Sequence, residues 1–272
     1  MRYIKTTILL ILTIFFALQT FATDKFIRVN TIPLHKDPEE KLARINDSEG
    51  FTNIHSGEGN NFPIIAKLDT TDFFYCSITN SEWLKIVALK WQGGKQIEGF
   101  IHKSKVQLIE TLDVKVKKAL LTSVLTKHKV LANNFQNSGK SKDSLRNSSS
   151  RGELEKYSDL KYSPILEILP DYICETKDTM ILQLFYATMW ADKGSANEIP
   201  SIAIGSCYIC WPDFVLKQIR TIKNTEQRKS IYNHIEFGLL SNFDVDENNK
   251  PIDKKFDGLK QKLYTEKKKA NP

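Results

Sequence analysis

The hydrophobic positions along the chain follow three patterns in turn. Residues 44–110 alternate between apolar and polar side chains in short runs of β-branched and aromatic residues, and turn residues separate these runs. This pattern predicts several short strands that form a small barrel or sandwich. From residue 114 to about residue 135 the apolar spacing is helical, and after residue 152 it is helical again with short breaks.

The segment 136–152 is rich in Ser, Asn, Lys and Gly and contains almost no apolar side chains. Such a composition predicts a flexible linker, with an extended crossing loop inside one domain as the alternative. The expected fold class is therefore α+β multidomain: a β-module at 44–110, a connecting helix at 114–135 and a helical domain at 153–272. The apolar spacing in the last region is typical of paired helices in a bundle or a short solenoid.

Three helices within 153–272 are predicted from the residues that begin them. Thr176 or Asp178 caps the first, Pro212 opens the second, and the third begins near Thr225. The stretch 190–211 is rich in aromatic and apolar residues. It predicts an irregular segment packed into the core, and a groove for a partner is the alternative.

The N-terminal residues have the pattern of a secretion signal. Two cations precede an apolar run at 8–18, and the small residues Thr20 and Ala22 stand where a signal peptidase cuts. This predicts a signal peptide at 1–22, followed by a polar lead-in at 23–43. An uncleaved anchor is the alternative, but the run is shorter than the ~20 residues of a membrane span. We expect an exported protein, periplasmic or extracellular, with no membrane span after signal removal.

Composition and charge exclude several classes of protein. Of the 272 residues, 41% are hydrophobic and 26% are charged, which excludes a mostly disordered chain and a multi-pass membrane protein. The formal net charge is +7, and the excess lysines gather at 115–129 and 254–269. Neither group is interleaved with aromatic residues in a known motif, so these lysines indicate solvated helix faces and no nucleic-acid partner.

Three segments of the β-rich region carry a recognisable set of motifs. They read GFTNIHSGEGNNFPII at 50–65, NSEWLKIV at 80–87 and GFIHKS at 99–104. In this order they resemble bacterial SH3-like (SH3b) domains. The resemblance implies a small β-barrel that serves as a targeting or interaction module, commonly for cell-wall peptides. His55 stands where the family usually has Arg, and Glu58 where it usually has Pro.

The side chains in these motifs lead to specific structural expectations. Gly57 and Gly59 are expected to adopt positive φ values so that the first loop can reverse. Trp83, Phe62 and Phe100 are expected to fill the barrel core because large aromatic side chains dominate cores. An exposed aromatic residue beside a loop is a docking candidate. The candidates for ligand binding are His55, Glu58, Tyr75 and Trp91.

An attached enzyme has little support in the sequence. A cysteine peptidase needs a Cys nucleophile that opens a helix and a His base downstream, and only His234 follows the later cysteines. Cys207 and Cys210 have C-x-x-C spacing, for which redox and metal sites are alternatives. A structural role is favoured over these two. It is either a disulfide between Cys174 and one of this pair or, as an equally ordinary explanation, buried free thiols. The five histidines are scattered singly, so no metal or cofactor is expected.

The sequence thus predicts a non-catalytic envelope protein whose SH3b-like module binds cell-wall peptide or glycan, or an envelope protein. The alternative is a secreted thiol-dependent enzyme, a hydrolase or oxidoreductase, with its site in the helical domain around Cys207, Cys210 and His234. A purely intramolecular role is a third possibility, in which the β-module packs on the helices as a scaffold.

Overall fold

The computed structural model describes five stretches of the chain, namely residues 40–90, 95–139, 144–193, 197–243 and 253–270. An antiparallel seven-stranded sheet comes first and helices follow, so the mixed α+β layout in two parts is confirmed. The predicted signal peptide and the lead-in up to residue 39 lie outside the described residues. The first strand already begins at Glu40, within the predicted lead-in.

The strands pair in the order β3-β2-β6-β5-β4-β1-β7, and neighbouring strands run antiparallel. The two edges of this open sheet are therefore β3 and β7. Short 3₁₀ turns at Lys103–Lys105 and Ile109–Thr111 flank the last strand. The strands are β1 Glu40–Ile45, β2 Phe51–His55, β3 Ile64–Asp69, β4 Phe73–Ser77, β5 Trp83–Lys90, β6 Lys95–His102 and β7 Val106–Leu108.

Alternate side chains of β1 to β6 converge on one small core, because successive residues of a strand point to opposite faces. Leu84 and Ile101 belong to this core, so their neighbours Trp83 and Phe100 point away and are half-buried. Phe62 lies in the loop before β3 and is 41% exposed. The expectation that these three aromatic residues fill the core is therefore wrong. The core consists of Ala43, Ile45, Ile54, Leu68, Phe74, Cys76, Leu84, Ile86, Ala88 and Ile101.

Several of the helices begin at a residue whose side chain caps them, and others begin with proline in the first turn. The Asp113 carboxylate accepts bonds from the first backbone N–H groups of α1, and Asp178 and Asn224 do the same for α5 and α8. A π-helix at Ser158–Tyr162 follows α2 directly. The helices are α1 Val114–Ser138, α2 Ser144–Tyr157, α3 Ser163–Ile165, α4 Leu169–Thr176, α5 Thr179–Ala191, α6 Ile199–Cys210, α7 Pro212–Arg220, α8 Thr225–Ser241 and α9 Lys254–Lys269.

Two segments differ from their predicted conformation. The expected linker 136–152 contains the end of α1 and the first half of α2, with residues 140–143 outside the described part. The expected irregular segment 190–211 contains α6. In the first case the composition predicted the wrong conformation. The Ser- and Asn-rich start of α2 is helical because the helix continues to Leu154, which packs on Leu131 and Ala132 of α1.

Helices α6 and α8 approach each other closely at two glycines. A Cβ atom on Gly205 would collide with the backbone of Gly238, and one on Gly238 would collide with the carbonyl of Ser201. Only glycine therefore permits this crossing. Among the described residues no single helix is long and apolar enough to span a bilayer, although α6 and α7 pass that test together as a pair bent by 116°.

The sheet and the helices share the larger of the hydrophobic cores. Leu42 of β1, Phe73 of β4, and Ile109 and Leu112 after β7 lie in the same cluster as the buried side chains of the helices. A polar contact also joins the sheet to the helices: the Tyr75 hydroxyl donates to the Glu167 carboxylate. The β-module is thus packed on the helices rather than separated from them by a linker.

Candidate functional site

The outer face of the sheet carries a cluster of one indole and two imidazoles around Trp83. The rings of His55 and His102 each contact the Trp83 ring edge-on, with centroids 5.3 Å and 5.5 Å away. Trp83 is directly opposite His102 in the β5–β6 pairing, and His55 is opposite Phe100 in the β2–β6 pairing. The β5–β6 hairpin and the earlier strand β2 therefore bring these rings together.

The loop between β2 and β3 is held against this cluster by hydrogen bonds. His55 Nδ1 lies 3.0 Å from the Phe62 carbonyl oxygen, and the backbone N–H of Ser56 donates to the Pro63 carbonyl at 2.9 Å. The Ser81 hydroxyl donates to the Glu58 carboxylate at 2.9 Å and accepts from the Trp83 backbone N–H at 3.1 Å. The two predicted candidates His55 and Glu58 thus lie beside Trp83.

The glycines of this loop have different roles. Gly59 has a φ of +154°, a positive value as predicted for it. Gly57 does not adopt a positive φ; it lies beneath the Phe62 ring, where a Cβ atom would come within 2.5 Å of Cδ1. Gly57 is therefore required by the close approach of an aromatic ring and not by its backbone angle.

The rim of the outer face is apolar and open. Phe62 is 41% exposed, and Ile64 and Ile65 at the start of β3 are 58% and 46% exposed. Since β3 is an edge of the sheet, its outer side has no strand partner among the described residues. The cluster and this rim together form the aromatic face, which we define by His55, Phe62, Ile64, Ile65, Trp83 and His102.

The other two binding candidates do not join the aromatic face. Tyr75 points to the helices, where its hydroxyl bonds to Glu167, and burial raises the pKa of this phenol. Tyr75 therefore contacts the helical part instead of a ligand. Trp91 lies outside the described residues.

The cysteines do not provide a nucleophile. Cys174 of α4 and Cys210 of α6 form a disulfide with a Cα–Cα distance of 5.9 Å. Cys207 and Cys76 are free and buried, and burial raises the pKa of both thiols, that of Cys76 to about 12. Catalysis by cysteine requires the thiolate, which these environments disfavour. His234 bonds to Ser201 at 2.7 Å and is not paired with a thiol.

A second histidine cluster, which the sequence patterns did not predict, is buried among the helices. His128 of α1 is fully buried and stacks on Tyr162 of the π-helix with centroids 3.6 Å apart. Its Nε2 atom lies 2.9 Å from Ser158 Oγ and 3.7 Å from Asp192 Oδ2. In the described structure His128 Nδ1 and the Tyr162 hydroxyl have no hydrogen-bond partner. We call His128, Ser158, Tyr162 and Asp192 the buried cluster.

The buried cluster contains Ser, His and Asp but does not have the geometry of a catalytic triad. In a triad the serine and the carboxylate bind opposite nitrogens of the imidazole. Here both face Nε2, and the ring is closed to solvent. Burial lowers the pKa of His128 to about 3 and raises the pKa of Asp192 to about 7, so the cluster favours uncharged forms.

The sequence contained part of the signal for the buried cluster. His128 shares the apolar stripe of α1 with Leu121, Leu125 and Ala132, at helical spacing. That stripe places the imidazole in the core, but the partners come from segments 30 and more residues away. Among the described residues no group of three or more His, Cys, Asp or Glu side chains is placed to hold a metal ion.

Comparisons with protein-family models, with curated proteins and with solved structures return no match for this chain. The geometry of the two clusters is therefore the basis for the function proposed below.

Proposed function

We propose that this chain is an exported, non-catalytic envelope protein that binds cell-wall peptide or glycan through the aromatic face of an SH3-like module. The observation that carries the proposal is the assembly of Trp83, His55 and His102 on the outer face of the sheet, beside an apolar rim. Such a surface offers the half-buried Trp83 ring for stacking on a sugar or a peptide plane, and the half-buried His102 imidazole for hydrogen bonds. His55 is buried and faces the Phe62 carbonyl, so it supports the Trp83 ring from within the protein.

The SH3-like assignment is supported by the arrangement of the strands. The last strand returns to pair with the first, since Ala43 is opposite Leu108. One core receives side chains from β1 to β6, and Val106 and Leu108 of β7 pack against it. A sheet whose strands all contact one small cluster must be strongly curved, as in a small barrel.

Two further observations support export and a non-catalytic role. The Cys174–Cys210 disulfide is compatible with an oxidising compartment outside the cytosol. The free thiols are buried with raised pKa values, which disfavours the thiol-dependent enzyme that the sequence left as an alternative.

A pull-down with purified cell-wall sacculi at low salt tests the proposal. We compare the mature protein with Trp83→Ala, which removes the central ring of the aromatic face. The matched control is Trp190→Ala, which removes a half-buried indole from α5 in the helical part. We expect sacculi to retain the wild type and the control, and retention of Trp83→Ala to fall by about tenfold, the equivalent of about 1.4 kcal/mol.

Soluble competitors then identify the recognised component. Release by stem peptides would assign peptide recognition, and release by glycan chains would assign sugar recognition. Absence of wild-type retention at low salt, or equal retention of Trp83→Ala, would contradict the proposal and favour a protein partner or a purely intramolecular role.

A further inference from the structure

The π-helix Ser158–Tyr162 stands between the buried cluster and the sheet, and it contacts both. Its first and last residues touch His128, through the Ser158 hydroxyl and the stacked Tyr162 ring. Between them, the Lys161 ammonium donates to the Thr71 carbonyl and to the Asp72 carboxylate in the turn that joins β3 and β4. This single five-residue turn therefore contacts the buried imidazole of His128 and also the sheet.

This turn is suited to transmit a local change. A π-helix has i→i+5 hydrogen bonds, is rare, and is frequent at functional sites. Because one turn contains all three contacting residues, a displacement of Ser158 and Tyr162 also displaces the backbone that carries Lys161. The Lys161–Asp72 ion pair has N and O atoms 2.7 Å apart, and the Lys161 side chain is only 16% exposed, so the contact is specific and partly shielded from solvent.

Several charged or titratable side chains face His128 or lie next to it on the packed elements. Asp192, at the end of α5, is the carboxylate in direct reach. Tyr162 stacks on the imidazole, and Tyr157 of α2 is 6.5 Å away by ring centroids. These elements carry further charged groups. On the segment of α2 and the π-helix they are Arg151, Glu153, Glu155, Lys156, Asp159 and Lys161, and nearby on α1 they are Lys127, which pairs with Glu153, and Lys129.

The protonation changes of His128 and Asp192 compensate each other, so the pair holds the same number of protons when buried and when exposed over a range of pH. Within the fold, burial lowers the pKa of His128 to about 3 and raises the pKa of Asp192 to about 7, so the pair holds one proton between these values. When exposed, the same pair also holds one proton, between about pH 3.9 and pH 6.5. Opening of the intact pair is therefore nearly independent of pH over that range.

We infer that the π-helix couples the His128–Asp192 pair to the turn between β3 and β4, so that an unbalanced charge in the pair loosens the π-helix and releases Lys161 from Asp72. The intact pair thus preserves the contact between the helices and the sheet over that pH range, and an unbalanced charge in the pair weakens it. This inference is independent of the ligand proposed for the aromatic face.

Hydrogen–deuterium exchange of the full mature chain tests the coupling, with rates corrected for intrinsic exchange and read at Ser158–Tyr162 and at residues 69–73. In the variant Asp192→Asn, His128 is the one member of the pair that still titrates. Its folded pKa lies below its unfolded value, so protection is lost as the pH falls below about 6.5. From pH 8 to pH 5 we expect exchange of both segments to rise roughly 30-fold, while the wild type changes by no more than about threefold.

The reciprocal variant must respond to pH in the opposite direction. In the variant His128→Gln, Asp192 is the one member of the pair that still titrates. Its folded pKa lies above its unfolded value, so protection from exchange is lost as the pH rises through 7. From pH 6 to pH 8 we expect exchange of both segments to rise about tenfold. This second variant keeps the test decisive if Asp192→Asn does not fold.

Two further variants separate coupling from a local structural role. Adding Lys161→Met to Asp192→Asn must leave the pH response in the π-helix and abolish it at residues 69–73. Asp213→Asn, at an exposed carboxylate paired with Lys262, is the matched control and must behave as the wild type. A pH response of Asp192→Asn confined to the π-helix, or absent from both segments, would overturn the inference.

Discussion

The sheet and the helical part each hold a histidine against aromatic rings, but they expose these groups very differently. On the sheet, Trp83 is half-buried between two imidazoles, with an open rim beside it. Among the helices, His128 and Tyr162 are closed to solvent, and burial shifts the pKa values of His128 and Asp192 towards uncharged forms. His55 is buried at 8% exposure, so Trp83 and His102 are the rings of this cluster that solvent reaches. We therefore propose recognition for the rings that solvent reaches and internal coupling for those that it does not.

The two parts also differ in how they are stabilised. The helical part has a disulfide, a glycine crossing and a large apolar core that includes several tyrosines. The sheet depends on strand pairing around a core of ten side chains and on its contact with the helices. We therefore expect variants of the helical framework to cost the most stability, and variants of the aromatic face to cost mainly binding.

The largest effect is expected from loss of the disulfide. Replacing Cys174 and Cys210 by Ala opens a loop of sequence separation 36, which in the chain-entropy account destabilises the protein by about 4 kcal/mol. Urea unfolding measures this difference, and reductant should lower the stability of the wild type alone. If reductant lowered the stability of the double variant as much as that of the wild type, the free thiols, and not this disulfide, would account for the loss of stability in reductant.

The glycine crossing of α6 and α8 should give the next largest effect. Gly238→Ala places a Cβ atom against the Ser201 carbonyl, and we expect a loss of about 3 kcal/mol because neither backbone can yield without moving a helix. Gly258→Ala in α9 is the control: its Cβ meets nothing within 4 Å, so a gain of about 0.5 kcal/mol is expected. Equal unfolding midpoints for the two variants would refute the close crossing.

Two aspartate caps allow a smaller effect to be measured within the helices. Asp178 is half-buried, which opposes ionisation, but bonds from Lys118, Ile181 and Tyr172 outweigh this partial burial and lower its pKa. Asp113 caps α1 with backbone bonds alone. We expect Asp178→Ala to cost about 2 kcal/mol and Asp113→Ala about 1 kcal/mol by thermal or urea unfolding.

The sign of the pH dependence provides a further check on Asp178. Its folded pKa is below the ordinary value of 3.8, so its stabilisation is present above that value and is lost as the pH falls. The stability difference between wild type and Asp178→Ala should therefore shrink in acid. A difference that stays constant down to pH 2 would contradict the charged contacts.

The smallest stability effect is expected on the aromatic face. Because Trp83 is half-buried and lies outside the core, Trp83→Ala should cost only about 1 kcal/mol, well below the 3–5 kcal/mol of a fully buried tryptophan. Its retention by sacculi should nevertheless fall by about tenfold. Unfolding at room temperature on this substitution would show that the indole is structural, and would remove the basis for the proposed site.

Local sequence patterns predicted the elements well where cap and period agreed. Asp178 caps α5, Pro212 opens α7, and α8 begins at Thr225, as the sequence indicated. Composition predicted poorly where packing overrides it. The Ser-rich start of α2 is helical, because Leu154 further along that helix packs on α1.

The candidate site was predicted only in part. The SH3-like motifs directed attention to His55 and Glu58, which do lie beside Trp83. They did not reveal that Tyr75 faces the helices, since alternation along β4 shows that neighbours point to opposite sides but not which side is covered. His102 was in the motif but became part of the cluster only through its pairing opposite Trp83.

The sequence by itself determined that strands precede helices and where α1, α5, α7 and α8 begin, because caps, periodicity and turn residues act over a few positions. The tertiary structure alone decided which aromatic rings stay accessible, which cysteines pair, and that His128 meets Asp192 beneath a π-helix. These features depend on contacts between segments tens of residues apart, and burial, which sets their chemistry, exists only once the chain has packed.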